Sequence, residues 1–233
     1  MRSWIVAAAW FGAFALGGPS RADDLDAPKA DAAHHKVEFE NEYVRVVRWS
    51  LQPHEKTALH DHPNLVSVFL TDMNLRLTGT DGKAQEVHAR KGVAAWRGPV
   101  VHVAENIGDQ PVEGILVEPK RAGSAGWTAP PRDVSRTTTT DKVAFENDWV
   151  RIVRFEIDKG EKNSMHDHPS GVQILLTDAH LRQTTPDGKS SEVSGKAGAA
   201  RYRPALTHAV ENTGDRVEGI VVDLKDAPAT AGK

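Results

Sequence analysis

His60-Asp61-His62-Pro63 returns as His166-Asp167-His168-Pro169, and each pair is followed at one fixed distance by a third histidine, His102 or His208. The offsets 166 − 60, 168 − 62 and 208 − 102 all equal 106. The match begins at Val37-Glu38-Phe39-Glu40-Asn41, paired with Val143-Ala144-Phe145-Glu146-Asn147, and runs without a gap to Gly108-Asp109 and Gly214-Asp215. One deletion later, Glu113-Gly114-Ile115 matches Glu218-Gly219-Ile220, and the copies close at Lys120 and Lys225. About half of the aligned positions are identical, and each copy is roughly 85 residues, the size of a domain. The chain must therefore fold as two like domains, 36–120 and 142–226.

Within each copy the signals are those of strands. Tyr43 to Leu51 and Trp149 to Ile157 are dense in Val, Ile and aromatic residues, and Val66 to Thr71 and Val172 to Thr177 are short apolar runs. Asp81-Gly82 and Asp187-Gly188 read as hairpin turns, because glycine supplies the positive φ such turns require. No helical period is sustained, and short strands at regular turn spacing predict an all-β barrel or sandwich. Arg45, Arg48, Arg151 and Arg154 interrupt the first strand of each copy, and are expected to pair with Glu40, Glu42, Glu146 and Asp148 rather than to bind an anion. Asn106 and Asn212 are expected to hold the turn after their strands.

Outside the copies, residues 1–22 have the form of a secretory signal peptide: Arg2, an apolar run from Trp4 to Leu16, and a small-x-small end at Ala22. The apolar run is too short to span a bilayer, which takes about 18 residues or more. Cleavage after Ala22 would remove Arg2 and Arg21, moving the formal net charge from −3 to −3 − 2 = −5. With basic residues scattered, nucleic-acid binding has no electrostatic support. The expected location is periplasmic or secreted. With no cysteine, both domains must be held by packing alone. Residues 23–35 read as a flexible leader with His34 and His35 at its surface, 121–141 as a linker that Trp127 could tack down, and 227–233 as a tail. His54, His88 and His180 lack a counterpart and read as surface residues.

Residues i and i+2 of a strand share a face, so His60 and His62 project together, as do His166 and His168, while Asp61 and Asp167 point away. The third histidine must arrive on another strand. Such a trio suits a divalent transition ion with positions left open, so up to two ions per chain are expected. A core role would explain one histidine but not a repeated trio.

At these residues the chain resembles the cupin superfamily. The second copy has Gly160, five residues and His166-x-His168, then His208, three residues and Asn212; the first has the same spacing with His54 in place of the glycine. The resemblance covers both copies and implies two tandem double-stranded β-helix (cupin, jelly-roll-like) barrels, a bicupin, packed as an intramolecular pseudo-dimer with metal sites inside the barrels. The family's glutamate, four or five residues after the second histidine, is missing: Val66 and Ser67, or Val172 and Gln173, stand there. Oxalate decarboxylase and oxidase chemistry, which in the family relies on manganese with that glutamate, is therefore not carried over. Three-histidine cupin oxygenases offer the nearer analogy. Gln173 could be a fourth ligand or support one, which favours the second site, and Trp96, Arg97, Tyr202 and Arg203, just before the third histidines, are candidates to line a substrate pocket, with ordinary aromatic packing and ion pairing as the alternative.

The resulting expectation is an exported metal-binding bicupin, possible as a dioxygenase for a small organic substrate. The alternative is a non-catalytic metal- or ligand-binding protein. Affinity order favours copper or zinc, and the three-histidine analogy favours iron.

Overall fold

The computed structural model describes residues 23–124 and 127–230, so the signal-peptide segment lies outside the described residues. In the first copy the strands are β1 (His35–Glu40), β2 (Val44–Leu51), β3 (His60–His62), β4 (Leu65–Phe69), β5 (Met73–Gly79), β6 (Ala84–Ala89), β7 (Ala94–Arg97), β8 (Val100–Asn106) and β9 (Val112–Pro119). The second repeats them as β10 (Asp141–Glu146), β11 (Val150–Ile157), β12 (Lys162–His168), β13 (Gly171–Leu175), β14 (Ala179–Thr184), β15 (Ser190–Gly195), β16 (Ala200–Arg203), β17 (Leu206–Asn212) and β18 (Val217–Leu224). Each copy folds into two antiparallel sheets, ordered β1-β2-β9-β4-β7 and β3-β8-β5-β6 in the first, and β10-β11-β18-β13-β16 and β12-β17-β14-β15 in the second. The order is the same in both. The fold is all-β, two tandem barrels of the cupin type. No helix among the described residues is long and apolar enough to cross a membrane.

Period-2 alternation sends the two faces of the larger sheets to different cores. Val47, Trp49, Leu51, Leu65, Phe69 and Leu116 fill the first barrel, and Val153, Phe155, Ile157, Leu175 and Val221 fill the second. The intervening residues, among them Val44, Val46, Val66, Val68, Ile152, Val172, Ile174 and Val222, form one core shared by both barrels. Each such side chain, fully buried, contributes about 1.5–3 kcal/mol. The join is reciprocal, as a two-fold relation requires: Arg48 donates to the Gly198 carbonyl at 2.6 Å, and Arg154 to that of Gly92 at 3.1 Å.

The arginines of the first strands are ion-paired, but not to the expected acids. Arg48 meets Glu38 and Glu113, and Arg154 meets Glu156 and Glu218. Arg45 is bidentate to Asp26 at 2.8 and 2.9 Å and reaches Glu118 at 2.5 Å, while Arg151 meets Asp133 at 2.6 Å and Asp223 at 2.7 Å. Glu40 and Glu146 stand directly across the first hairpin from Arg45 and Arg151, but these arginines turn instead to the acids of the last strand, Glu118 and Asp223, and to the acids that precede α1 and α2.

The segment before β1 is folded, which corrects the expectation of a solvated leader. Asp26 precedes a short helix, α1 (Ala27–Ala30), and bridges to Asp61; in the linker Asp133 precedes α2 (Val134–Thr137) and bridges to Asp167. Leader and linker are thus one repeated strap, each laid on its histidine strand and tied down by an arginine, Arg45 or the buried Arg151. Trp127 lies beneath Arg151 and Lys225, at 5.6 and 4.9 Å from the ring centre. Asn106 and Asn212 do hold their turns, donating to the carbonyls of Gln110 and Asp215, both at 2.8 Å.

His54 has φ 62°, where the second copy has Gly160 at φ 76°. A side chain in this left-handed region costs about 1–2 kcal/mol. His54→Gly is therefore expected to raise stability by about 1 kcal/mol and Gly160→Ala to lower it by a similar amount, as read from urea midpoints; equal midpoints for His54→Gly and the parent would contradict this.

Candidate metal centres

Strand pairing brings the whole predicted trio together in the second barrel, whereas in the first His102 lies beside His60 but outside the tightest group of ligand nitrogens. His60 on β3 sits directly opposite His102 on β8, and His166 on β12 opposite His208 on β17. In the second barrel His168 Nε2 lies 3.0 Å from His166 Nε2 and 3.1 Å from His208 Nε2. In the first, His60 Nε2 and His102 Nε2 are 3.1 Å apart, with the His62 ring 4.8 Å from that of His60, centre to centre. Asp167 turns outward to Arg132 and Thr207.

The donor set fits a cation. His166 Nδ1 donates to the Ser164 carbonyl at 2.7 Å and His60 Nδ1 to that of Ala58 at 2.8 Å, since a carbonyl can only accept. Each of these rings then presents an unprotonated Nε2 to its neighbours. An unprotonated Nε2 is the form a metal ion binds, and about 3 Å is the separation expected of nitrogens held ~2.0–2.1 Å from one centre. Burial, then neighbouring charge, keeps the rings neutral: His208 is lowered to about 3, and His102 and His168 lie well below the ordinary histidine value.

The structure adds a histidine that the sequence reading left at the surface. His35, the first residue of β1, is 5% exposed, and its ligand nitrogen lies within 4.8 Å of those of His60 and His62. Its ring centre is 4.6 Å from that of His60. His34, beside it, turns to Asp31 and Glu55. The first site is also the better supported, for His62 Nδ1 approaches Glu118 at 3.3 Å and His35 Nδ1 approaches Asp31 at 3.3 Å. Carboxylates in this position orient ligating imidazoles. His208 Nδ1, by contrast, has no partner among the described residues.

Trp96 and Tyr202 are not at the histidines. Both pack against the core shared by the barrels, where Trp96 meets Trp149 and Tyr202 stacks on Tyr43. Successive strand residues point to opposite faces, so Arg97 and Arg203 face the barrel interiors. Arg97, half-buried, lines a cavity of about 50 Å³ with His35, His60, His62, His102 and Ser67. That is room for water but not for an organic molecule. Arg203 is 7% exposed; its Nε has no partner among the described residues, and burial lowers its pKa to about 10. Gln173 is engaged by an arginine: its Oε1 accepts from Arg201 Nε at 2.9 Å and from the Arg201 terminal nitrogen at 2.6 Å. Arg201 escaped sequence reading because Ala95 holds its place in the first copy.

Freed of metal, the protein should be acid-sensitive. Histidines that titrate near 6.5 when unfolded are depressed in the fold, by burial first and neighbouring charge second, to about 4 for His35 and about 3 for His208. The unfolded chain then binds more protons below pH 6.5, so stability present above that pH is lost as pH falls toward 4 and 3. In chelator, the urea midpoint should drop between pH 7.5 and 5; a flat profile would sink the buried neutral trios.

No protein-family profile matches the chain, and no curated protein sequence matches it. Solved structures share its fold. An oxalate decarboxylase from Bacillus subtilis aligns with a TM-score of 0.56 at 14% identity, covering 83% of this chain and 72% of that one. A cupin 2 conserved barrel domain protein from Leptotrichia buccalis aligns at 0.52 and 14%, covering 82% and 88%. The salicylate 1,2-dioxygenase of Pseudoaminobacter salicylatoxidans aligns at 0.51 and 9%, covering 77% and 70%.

Proposed function

We propose that this chain, whose two barrels have the bicupin fold, is an exported metal-dependent oxidoreductase of the dioxygenase type that takes a small organic anion in its second barrel. The observation that carries this is the wall formed by Arg201 and Arg203 beside His166, His168 and His208. Arg201 and Arg203 flank Tyr202 on β16, and because Tyr202 faces the shared core, alternation sends both to the other face of the strand, where Arg203 is buried and Arg201 is exposed. Both arginines bear on His208 enough to help lower its pKa, after burial and His166.

A carboxylate at this wall would accept from the unpartnered Arg203 Nε and from Arg201. Gln173 holds Arg201 in place, since an amide oxygen fixes a guanidinium without neutralising it. A divalent ion bound by the trio would supply Lewis acidity and open positions for substrate or oxygen. The protein's part is to orient the anion and to keep the imidazoles unprotonated. Export rests on the signal-peptide form of residues 1–22.

The test is oxygen consumption by iron-reconstituted protein against phenolic acids, diketones and thiols. Turnover of a carboxylate substrate should be abolished by His208→Ala and should show a KM raised about 10-fold or more in Arg201→Ala, the loss of one charge-assisted pair. Silence across the panel with metal firmly retained would favour a non-catalytic metal- or ligand-binding role.

A further inference from the structure

We infer that the first barrel holds its ion with four imidazoles, His35, His60 and His62, whose ligand nitrogens lie within 4.8 Å of one another, and His102, whose Nε2 is 3.1 Å from that of His60, as a retaining site for a borderline divalent ion such as Zn²⁺ or Cu²⁺. This rests on the reading of the repeated histidines as metal sites. The geometry comes from the strap: a turn over residues 31–34 leads from α1 into β1 and delivers His35 beside the rings of His60 and His62, with centres 4.6 and 5.5 Å away. Asp31, at the end of α1 and 7% exposed, approaches His35 Nδ1 at 3.3 Å, which leaves Nε2 to face the cluster. Four protein ligands close a site, whereas three leave a position open. The small cavity beneath these histidines agrees, since it has no room for an organic molecule.

The second barrel departs at this position. Asp141 stands where the 106-residue offset places the counterpart of His35, and its Oδ2 accepts from the hydroxyls of Thr140 at 2.6 Å and Thr138 at 3.0 Å. It is not grouped with the second trio. The second trio thus lacks the fourth histidine that the strap supplies in the first barrel.

The experiment uses the full chain carrying His166→Ala and His168→Ala, so that only the first site remains, loaded with Cu²⁺ for electron paramagnetic resonance and with Zn²⁺ for X-ray absorption. Four imidazole nitrogens are expected, and three after a further His35→Ala. Because loss of a mere supporting residue costs about 10–100-fold in affinity, loss of His35 should cost at least about 10-fold. His35→Asp, which copies the second barrel, guards against misfolding, and circular dichroism should match the parent in both variants. Three imidazoles before and after His35→Ala, with affinity unchanged, would overturn the role of His35 and leave the three-histidine site standing. Failure of the parent to retain either ion would overturn both.

Discussion

Replacing Arg151 with Met is expected to destabilise the protein by about 3–5 kcal/mol, the cost of stranding charge inside a fold. Arg151 is 3% exposed and lies between Asp133, fully buried, and Asp223, 1% exposed. Burial raises the Asp223 carboxyl to about 6 even with Arg151 beside it. Without the guanidinium, Asp223 keeps only Arg203 among the described residues, at 3.9 Å, and must either ionise in a medium of low dielectric or take up a proton. The deficit should therefore be largest near pH 8 and shrink below pH 6, because a folded-state pKa raised above the unfolded one favours the fold as pH falls. Urea unfolding at pH 8 and pH 5 measures both. A loss under about 1 kcal/mol at pH 8 would show that the strap tied by Asp133 is dispensable, for so small a change is typical of exposed ion pairs.

The second large effect is on metal content. Wild-type protein is expected to carry two divalent ions per chain and His166→Ala/His168→Ala one, by elemental analysis. An ion present at about 1,000 times its Kd stabilises the folded state by about 4 kcal/mol. Exhaustive chelation should thus lower the melting temperature on the order of 10 °C. Equal metal content in the two proteins, with no response to chelator, would remove the second site.

The trios were legible because they obey two rules at once: i and i+2 share a strand face, and the same spacing occurs twice. The other site residues follow less directly. Of the two readings open for Trp96 and Tyr202, pocket lining and ordinary aromatic packing, the structure takes the second, because neighbours on a strand cannot face the same way as Arg97 and Arg203. The alternation that paired His60 with His62 separates Trp96 from Arg97. His35 was hidden by composition, since the Ala- and Asp-rich stretch before it resembles a solvated tail, and only α1 docking against β3 carries it inward. The 106-residue offset linking His35 to Asp141, two residues able to bind metal, was the available signal. Arg201 had no such signal, because a repeat highlights what the copies share and Arg201 is where they differ.

The reciprocal bonds of Arg48 to Gly198 and Arg154 to Gly92, around a core supplied by both barrels, make the pairing of the domains intramolecular. Two separate barrels joined by such a face would come apart on dilution, whereas covalent linkage sets their effective concentration by the length of the tether alone. It also removes a constraint on change over evolution. In a pair of identical subunits every substitution appears at both sites, but here His35 can stand opposite Asp141, and Ala95 opposite Arg201, in every molecule.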